Sequence, residues 1–155
     1  MQHYSVRPAT LDDLDIIISQ RLAMTQEIAE TEEATLNTIR TLSRPWLEEH
    51  ISAGRYMGWF AVDPNGEIAA GVGLWLLDWP PGLLDSGFMR GYIINVYTEK
   101  EHRKKNLARR LMTIALEWCK ENNINVISLQ ASPHGRHLYE SMGFAPTTEM
   151  RLKLK

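Results

Sequence analysis

The run from Tyr92 to Glu121 constrains the fold more than any other part of the chain. It opens as a strand-like stretch, Tyr92-Ile93-Ile94-Asn95-Val96-Tyr97. It closes as a helix-like one, Leu107 to Glu121, with Arg103, Lys104, Lys105, Arg109 and Arg110 crowded at the junction. The first turn of a helix carries unpaired N–H groups and the positive end of the dipole, so acidic side chains are its favoured residents. Cations packed there oppose that field unless an external anion sits on the turn. A phosphate or pyrophosphate answers the description, bound by backbone N–H groups and flanked by Arg and Lys. A solvated basic helix start is the competing reading of the same charges.

The remaining segments arrange themselves around this crossover. Ser5-Val6-Arg7 reads as a short strand closed by Pro8, and Thr10 followed by Asp13 reads as a capped helix start. Leu14, Ile17, Ile18, Arg21, Leu22 and Ile28 recur at helical spacing, and a second helical region runs from about Glu33 through Ile51, bent or restarted at Pro45. Tyr56 to Val62 and Ile68 to Trp75 read as a hairpin about Asp63-Pro64-Asn65-Gly66-Glu67; Gly71 and Gly73 suggest close backbone packing or a bulge. A loop from Trp79 to about Arg90 precedes the Tyr92 strand. After the basic helix come a strand at Val126 to Gln130, a helix opened by Ser132-Pro133 and stopped at Gly143, and an alternating last strand over Glu149 to Leu154. The order β-α-α-β-β-β-α-β-α-β makes an α/β (α+β) fold, a mixed sheet flanked by helices.

At 155 residues, with no repeat or linker, the chain reads as one domain over 1–155. A net charge of −2 makes the basic cluster local, which suits a small anionic ligand and disfavours nucleic acid. No apolar run reaches membrane-spanning length, so no membrane partner is expected and a cytoplasmic location is the default. Cys119 falls on the Leu111-Ala115-Trp118 side of its helix and reads as packing. His3, His50, His102, His134 and His137 show no ligand spacing, so no metal is expected.

Two segments together resemble a known family. Arg103-Lys104-Lys105-Asn106-Leu107-Ala108 is similar to the acetyl-CoA loop of the GNAT N-acetyltransferases, which reads Arg or Gln, two variable residues, Gly, one variable residue, then Gly or Ala. Ser132…Gly135…Leu138-Tyr139-Glu140-Ser141-Met142-Gly143-Phe144 resembles that family's second helix signature. The two stand in the family's order, one helix and one strand apart, and the likeness covers nearly the whole chain. Asn106 replaces the usual Gly, and Asn is the residue that best tolerates left-handed backbone after Gly.

The resemblance implies a mostly antiparallel sheet splayed between its fourth and fifth strands, with acetyl-CoA in the gap as donor and an amine, on a small molecule or a protein, as acceptor. By the same likeness, backbone of Lys104, Lys105, Asn106, Leu107, Ala108 and Arg109 would hold the pyrophosphate beside Arg103, and Val96, Tyr97 and Thr98 would pair with the pantetheine arm. Ser132 stands where the family has Asn and would cap its helix or touch that arm. Tyr139 would be the general acid for the leaving thiolate. The base stays open among Glu27, Glu30, Asp85, Glu149, His134 and His137, and a homodimer through the last strands is compatible with the likeness. A non-catalytic acyl-CoA-binding module of the same fold is the alternative reading. The carboxylates of Glu27, Glu30 and Asp85 hint at a cationic acceptor.

Overall fold

The structure, a computed structural model, describes residues 3–155. Strand β1 (Ser5–Pro8) leads through a 3-10 turn into helix α1 (Leu14–Ile28), followed by α2 (Glu33–Ser52). Strands β2 (Tyr56–Val62), β3 (Ile68–Asp78) and β4 (Met89–Thr98) come next, then α3 (Leu107–Glu121), β5 (Ile127–Leu129) and α4 (Arg136–Ser141). The sheet order is β1-β2-β3-β4-β5, antiparallel throughout except for the parallel β4–β5 pair. This is the expected fold class, and the element order holds through α4.

Local chemistry explains several boundaries. The Thr10 hydroxyl accepts from Asp12 N while the Asp13 carboxylate accepts from Thr10 N at 2.7 Å, a capping box that starts α1. Arg7 grips the same carboxylate with two bonds of 2.8 and 2.9 Å, and that guanidinium holds Asp13 below the usual carboxylate range. In the β2–β3 turn Asp63 Oδ1 accepts from both Asn65 N and Glu67 N, and Gly66 takes φ +85°. Helix α2 runs through Pro45 without a break in assignment.

Strand parity sorts the core onto two faces. Tyr56 and Phe60 point toward α1 and α2, packing with Leu14, Ile17, Ile18, Leu36 and Leu47. Their neighbours Ala61, Val72, Leu74 and Ile93 join the opposite cluster, under the Leu107-Leu111-Met112-Ala115-Cys119 stripe of α3. Cys119 is wholly buried there, and burial pushes its thiol up to about 11, which makes it packing and not a nucleophile. No helix among the described residues is long and apolar enough to cross a membrane.

Two expected boundaries differ. The last strand, Glu149 to Leu154, does not form: residues 145–155 carry no strand pairing, and Met150, Leu152 and Leu154 are exposed. Alternation specifies opposite faces for successive side chains, but a strand also needs an edge to bond, and β5 is only three residues long. Helix α4 starts at Arg136, not at Pro133, because Ser132 to Gly135 form a separate turn in which Gly135 N donates to both Ser132 O and Ser132 Oγ.

Candidate functional site

Strands β4 and β5 pair only over Gly91–Ile93 and Ile127–Leu129. Beyond Ile93, β4 continues to Thr98 with β3 on one side and, among the described residues, no strand on the other. A cavity of about 830 Å³ fills the gap, floored by β4 and walled by the α3 N-terminus and α4. Every residue that the resemblance gave to the cofactor or to the general acid lines it: Val96, Tyr97, Thr98, Arg103, Lys104, Lys105, Asn106, Leu107, Ala108, Arg109, Ser132 and Tyr139. Met24 and Glu27 of α1 complete the wall.

The loop that enters α3 is built to leave its N–H groups available. Lys104 and Asn106 both hold left-handed backbone, at φ 63° and 59°. Asn106 is the residue before the helix, makes no capping bond with its side chain, and no acidic residue stands in the first turn. The first N–H groups of α3 therefore lack an internal acceptor, which is what an anion at this end requires. A β-branched residue at position 106 pays the left-handed penalty that Asn largely avoids. Asn106→Val is expected to lose about 1–2 kcal/mol, a melting-temperature fall of roughly 2–8 °C, while Asn106→Gly holds its stability; thermal denaturation checks both.

The loop cations divide into two groups. Arg103 is engaged by the protein itself: Nε donates to Thr98 O at 2.9 Å, Nη2 to Glu27 Oε1 at 2.5 Å, and the guanidinium lies 5.5 Å from the Tyr97 ring centroid. The bond to Glu27 raises the guanidinium further above its ordinary value. Arg103 thus ties α1 to the end of β4. Arg110 donates to Tyr4 O at 2.7 Å, and Lys105 Nζ reaches Tyr4 OH at 3.2 Å. Arg109 Nη2 meets Ser141 Oγ at 2.6 Å, which links α3 to α4. Lys104 pairs with none of the described residues and lines the cavity.

Tyr139 is 9% exposed and packs edge-on to Phe144, with ring centroids 6.1 Å apart. Gly135 lets the ring in, since a Cβ there would lie 2.7 Å from Tyr139 Cε2. Burial pushes the phenol above its ordinary value, and its hydroxyl makes no bond to the described residues. A protonated donor thus stands free at the cavity wall.

Of the open base candidates, Glu27 is bound to Arg103, Asp85 lies near Asn125, and Glu149 lines a smaller cavity of about 280 Å³ beside β5. His134 borders the large cavity, while Glu30 and His137 are exposed outside it. Among the described residues, no group of three His, Cys, Asp or Glu side chains is placed to hold a metal ion.

Sequence reasoning missed a further cavity, about 440 Å³, between α1, α2 and the sheet. It exists because β4 carries a bulge: Asn95 and Val96 together face Val72, and Asn95 takes φ 58°. The bulge turns the Asn95 side chain toward α1, where Oδ1 accepts from Arg21 Nη1 at 2.8 Å and Nδ2 donates to Tyr56 OH at 3.1 Å. Burial pushes the Tyr56 phenol up to about 12, so it stays protonated in this network. The only sequence signal was an Asn inside the apolar run Ile93-Ile94-Asn95-Val96.

Comparison with known proteins agrees with the geometry. The acetyltransferase (GNAT) family model matches residues 22–144. A GCN5-related N-acetyltransferase from Ralstonia eutropha JMP134 is 33% identical, with a TM-score of 0.91 over 98% of this chain and 99% of its own. A predicted acetyltransferase from Clostridium acetobutylicum, solved with acetyl-CoA, is 26% identical, with a TM-score of 0.85 over 99% and 96%. Glucosamine-6-phosphate N-acetyltransferase from Arabidopsis thaliana, at 19% identity and a TM-score of 0.71 over 97% of each chain, shares the fold. No curated protein matches the chain.

Proposed function

Since the chain belongs to the acetyltransferase (GNAT) family, we propose that it is an acetyl-CoA-dependent N-acetyltransferase acting on a primary amine by direct attack in a ternary complex. One observation carries the reading. A single cavity gathers an anion-ready helix start, an unpaired strand edge and a buried phenol with a free hydroxyl.

Each part has a role. N–H groups of the Lys104-to-Arg109 turn bind the pyrophosphate, and Lys104 adds a countercharge. The free edge of β4 from Val96 to Thr98 gives main-chain bonds to the pantetheine arm and polarises the thioester carbonyl. The acceptor nitrogen forms its bond to the acyl carbon as the carbon–sulfur bond breaks. Tyr139 gives its proton to the departing thiolate, and Ser132 shapes the turn that sets Tyr139 in place. The amine enters neutral and loses one proton to solvent as the amide forms, and solvent returns one to the Tyr139 phenolate, so protons balance.

Titration calorimetry with CoA tests the reading. The expected result is one-to-one binding that weakens with added salt and weakens several-fold more in Lys104→Glu. No heat with CoA overturns the reading, whereas CoA binding without thiol release across an amine panel is the signature of a non-catalytic acyl-CoA-binding module.

A further inference from the structure

The 440 Å³ cavity has a composition that selects its occupant. Its wall is mainly apolar and aromatic, with Ile39, Leu42 and Trp46 from α2, Trp75 from β3 and Ile94 from β4; Thr38 and Ser43 of α2 also line it. Trp46 and Trp75 meet edge to face with centroids 5.4 Å apart, and His50 stacks on Trp46, so the aromatic wall is braced. One charged group lines the cavity, the guanidinium of Arg21. It makes no ion pair among the described residues; its bond to Asn95 is to a neutral amide. Arg21 is partly buried, and a guanidinium without an acid partner beside apolar walls offers an anion a charge-assisted contact. Every carboxylate that hinted at a cationic acceptor lies elsewhere: Glu27 is bound to Arg103, Asp85 lies near Asn125, and Glu30 is exposed.

Position connects this cavity to the transfer site. Asn95 lines the smaller cavity and Val96, the next residue, lines the larger one. Helix α1 spans both in the same sense, with Arg21 in the first and Met24 and Glu27 in the second. The guanidinium is bonded to Asn95, and Val96, the next residue along the chain, belongs to the strand edge where the thioester would lie. Resting on the acetyltransferase reading above, we propose that the acceptor is a small amine carrying a carboxylate on an apolar body, an apolar amino acid, whose carboxylate binds Arg21 while its side chain packs on Trp46 and Trp75.

Chemistry narrows the class further. With Nη1 engaged by Asn95, the rest of the guanidinium fork matches the two oxygens of a carboxylate. A phosphate dianion would call for more donors than one shared Arg supplies. Polyhydroxylated amino sugars would find, besides Arg21, only Thr38, Ser43 and the already bonded Asn95 for their many hydroxyls, and polycationic amines would meet a like charge.

Matched acceptor pairs provide the test: L-phenylalanine against phenethylamine and L-leucine against isoamylamine, with acetyl-CoA and thiol release as the readout. The carboxylate member is expected to lead by roughly 10- to 100-fold in kcat/KM. Arg21→Met should erase that preference, and Arg21→Lys should restore part of it. CoA affinity, read by calorimetry, should stay at the wild-type value in both variants. Tryptophan fluorescence reports occupancy independently of transfer, because Trp46 and Trp75 line the cavity. Four results overturn the proposal: preference for the decarboxylated amines, equal loss on both members in Arg21→Met, turnover only of amino sugars or their phosphates, or no quenching by either amino acid. If CoA fails to bind while L-phenylalanine quenches in an Arg21-dependent way, the acetyltransferase reading falls and the carboxylate site stands.

Discussion

Tyr139→Phe is expected to lower kcat by roughly a hundredfold to ten-thousandfold, the span of a positioned general acid, with CoA affinity little changed. The substitution removes one hydroxyl that bonds to nothing else among the described residues, and it keeps the ring against Phe144 and Gly135. Folding should therefore be preserved, and the loss belongs to protonation of the leaving thiolate. The pH profile adds a second signature. Burial raises the phenol above its ordinary value of 10.0, so the acid form survives past that pH and the alkaline fall in kcat should begin above it. In Tyr139→Phe that fall should disappear along with the activity. A phenylalanine variant with wild-type kcat would remove Tyr139 from the chemistry.

Gly73→Ala is expected to destabilise the fold by about 1–3 kcal/mol through overpacking, and to disturb acceptor use as well. A Cβ at position 73 would lie 2.7 Å from Tyr56 Cζ and 2.9 Å from Cε2. Tyr56 is 3% exposed and has little room to retreat. Displacing it breaks the bond from Asn95 Nδ2, and Asn95 in turn holds Arg21. The expected pattern is a melting temperature lower by roughly 2–12 °C and a raised KM for the acceptor, with CoA affinity retained. Gly82→Ala is the control, since a Cβ there meets nothing within 4 Å. Denaturation of the two variants side by side decides the matter: if Gly73→Ala melts with Gly82→Ala, the contact with Tyr56 does not constrain the sheet.

The two cavities were unequally visible in the sequence. The larger one is assembled mostly from one contiguous stretch, 96–109, plus the turn and helix at 132–139, so its residues announce themselves by proximity and by charge. The smaller one takes Arg21 from α1, Trp46 from α2, Trp75 from β3 and Asn95 from β4. Arg21 and Asn95 bond across 74 positions of chain; each is a polar residue inside an apolar pattern of its own element, and nothing in either pattern pairs the two. Arg103 shows the complementary case. In the sequence it stands as one cation among others at the cofactor loop; it lines the larger cavity, and its bond to Glu27, 76 positions away, which also ties helix to strand, is not legible there. The tail from Glu149 to Leu154 had the alternation of a strand and no edge to pair with.

Short-range forces therefore settled much of this protein in advance. Apolar periodicity set the order of helices and strands, Thr10 with Asp13 set the start of α1, and Asn106 set a left-handed turn that leaves the α3 N–H groups open. Those choices depend on a residue and its near neighbours, which a sequence states directly. Packing alone decided how far β4 and β5 separate, where the bulge turns Asn95, and which cations keep their charge free for a ligand. These outcomes follow from register and from contacts between distant segments, and one added residue in β4 is enough to redirect a side chain from one face of the sheet to the other.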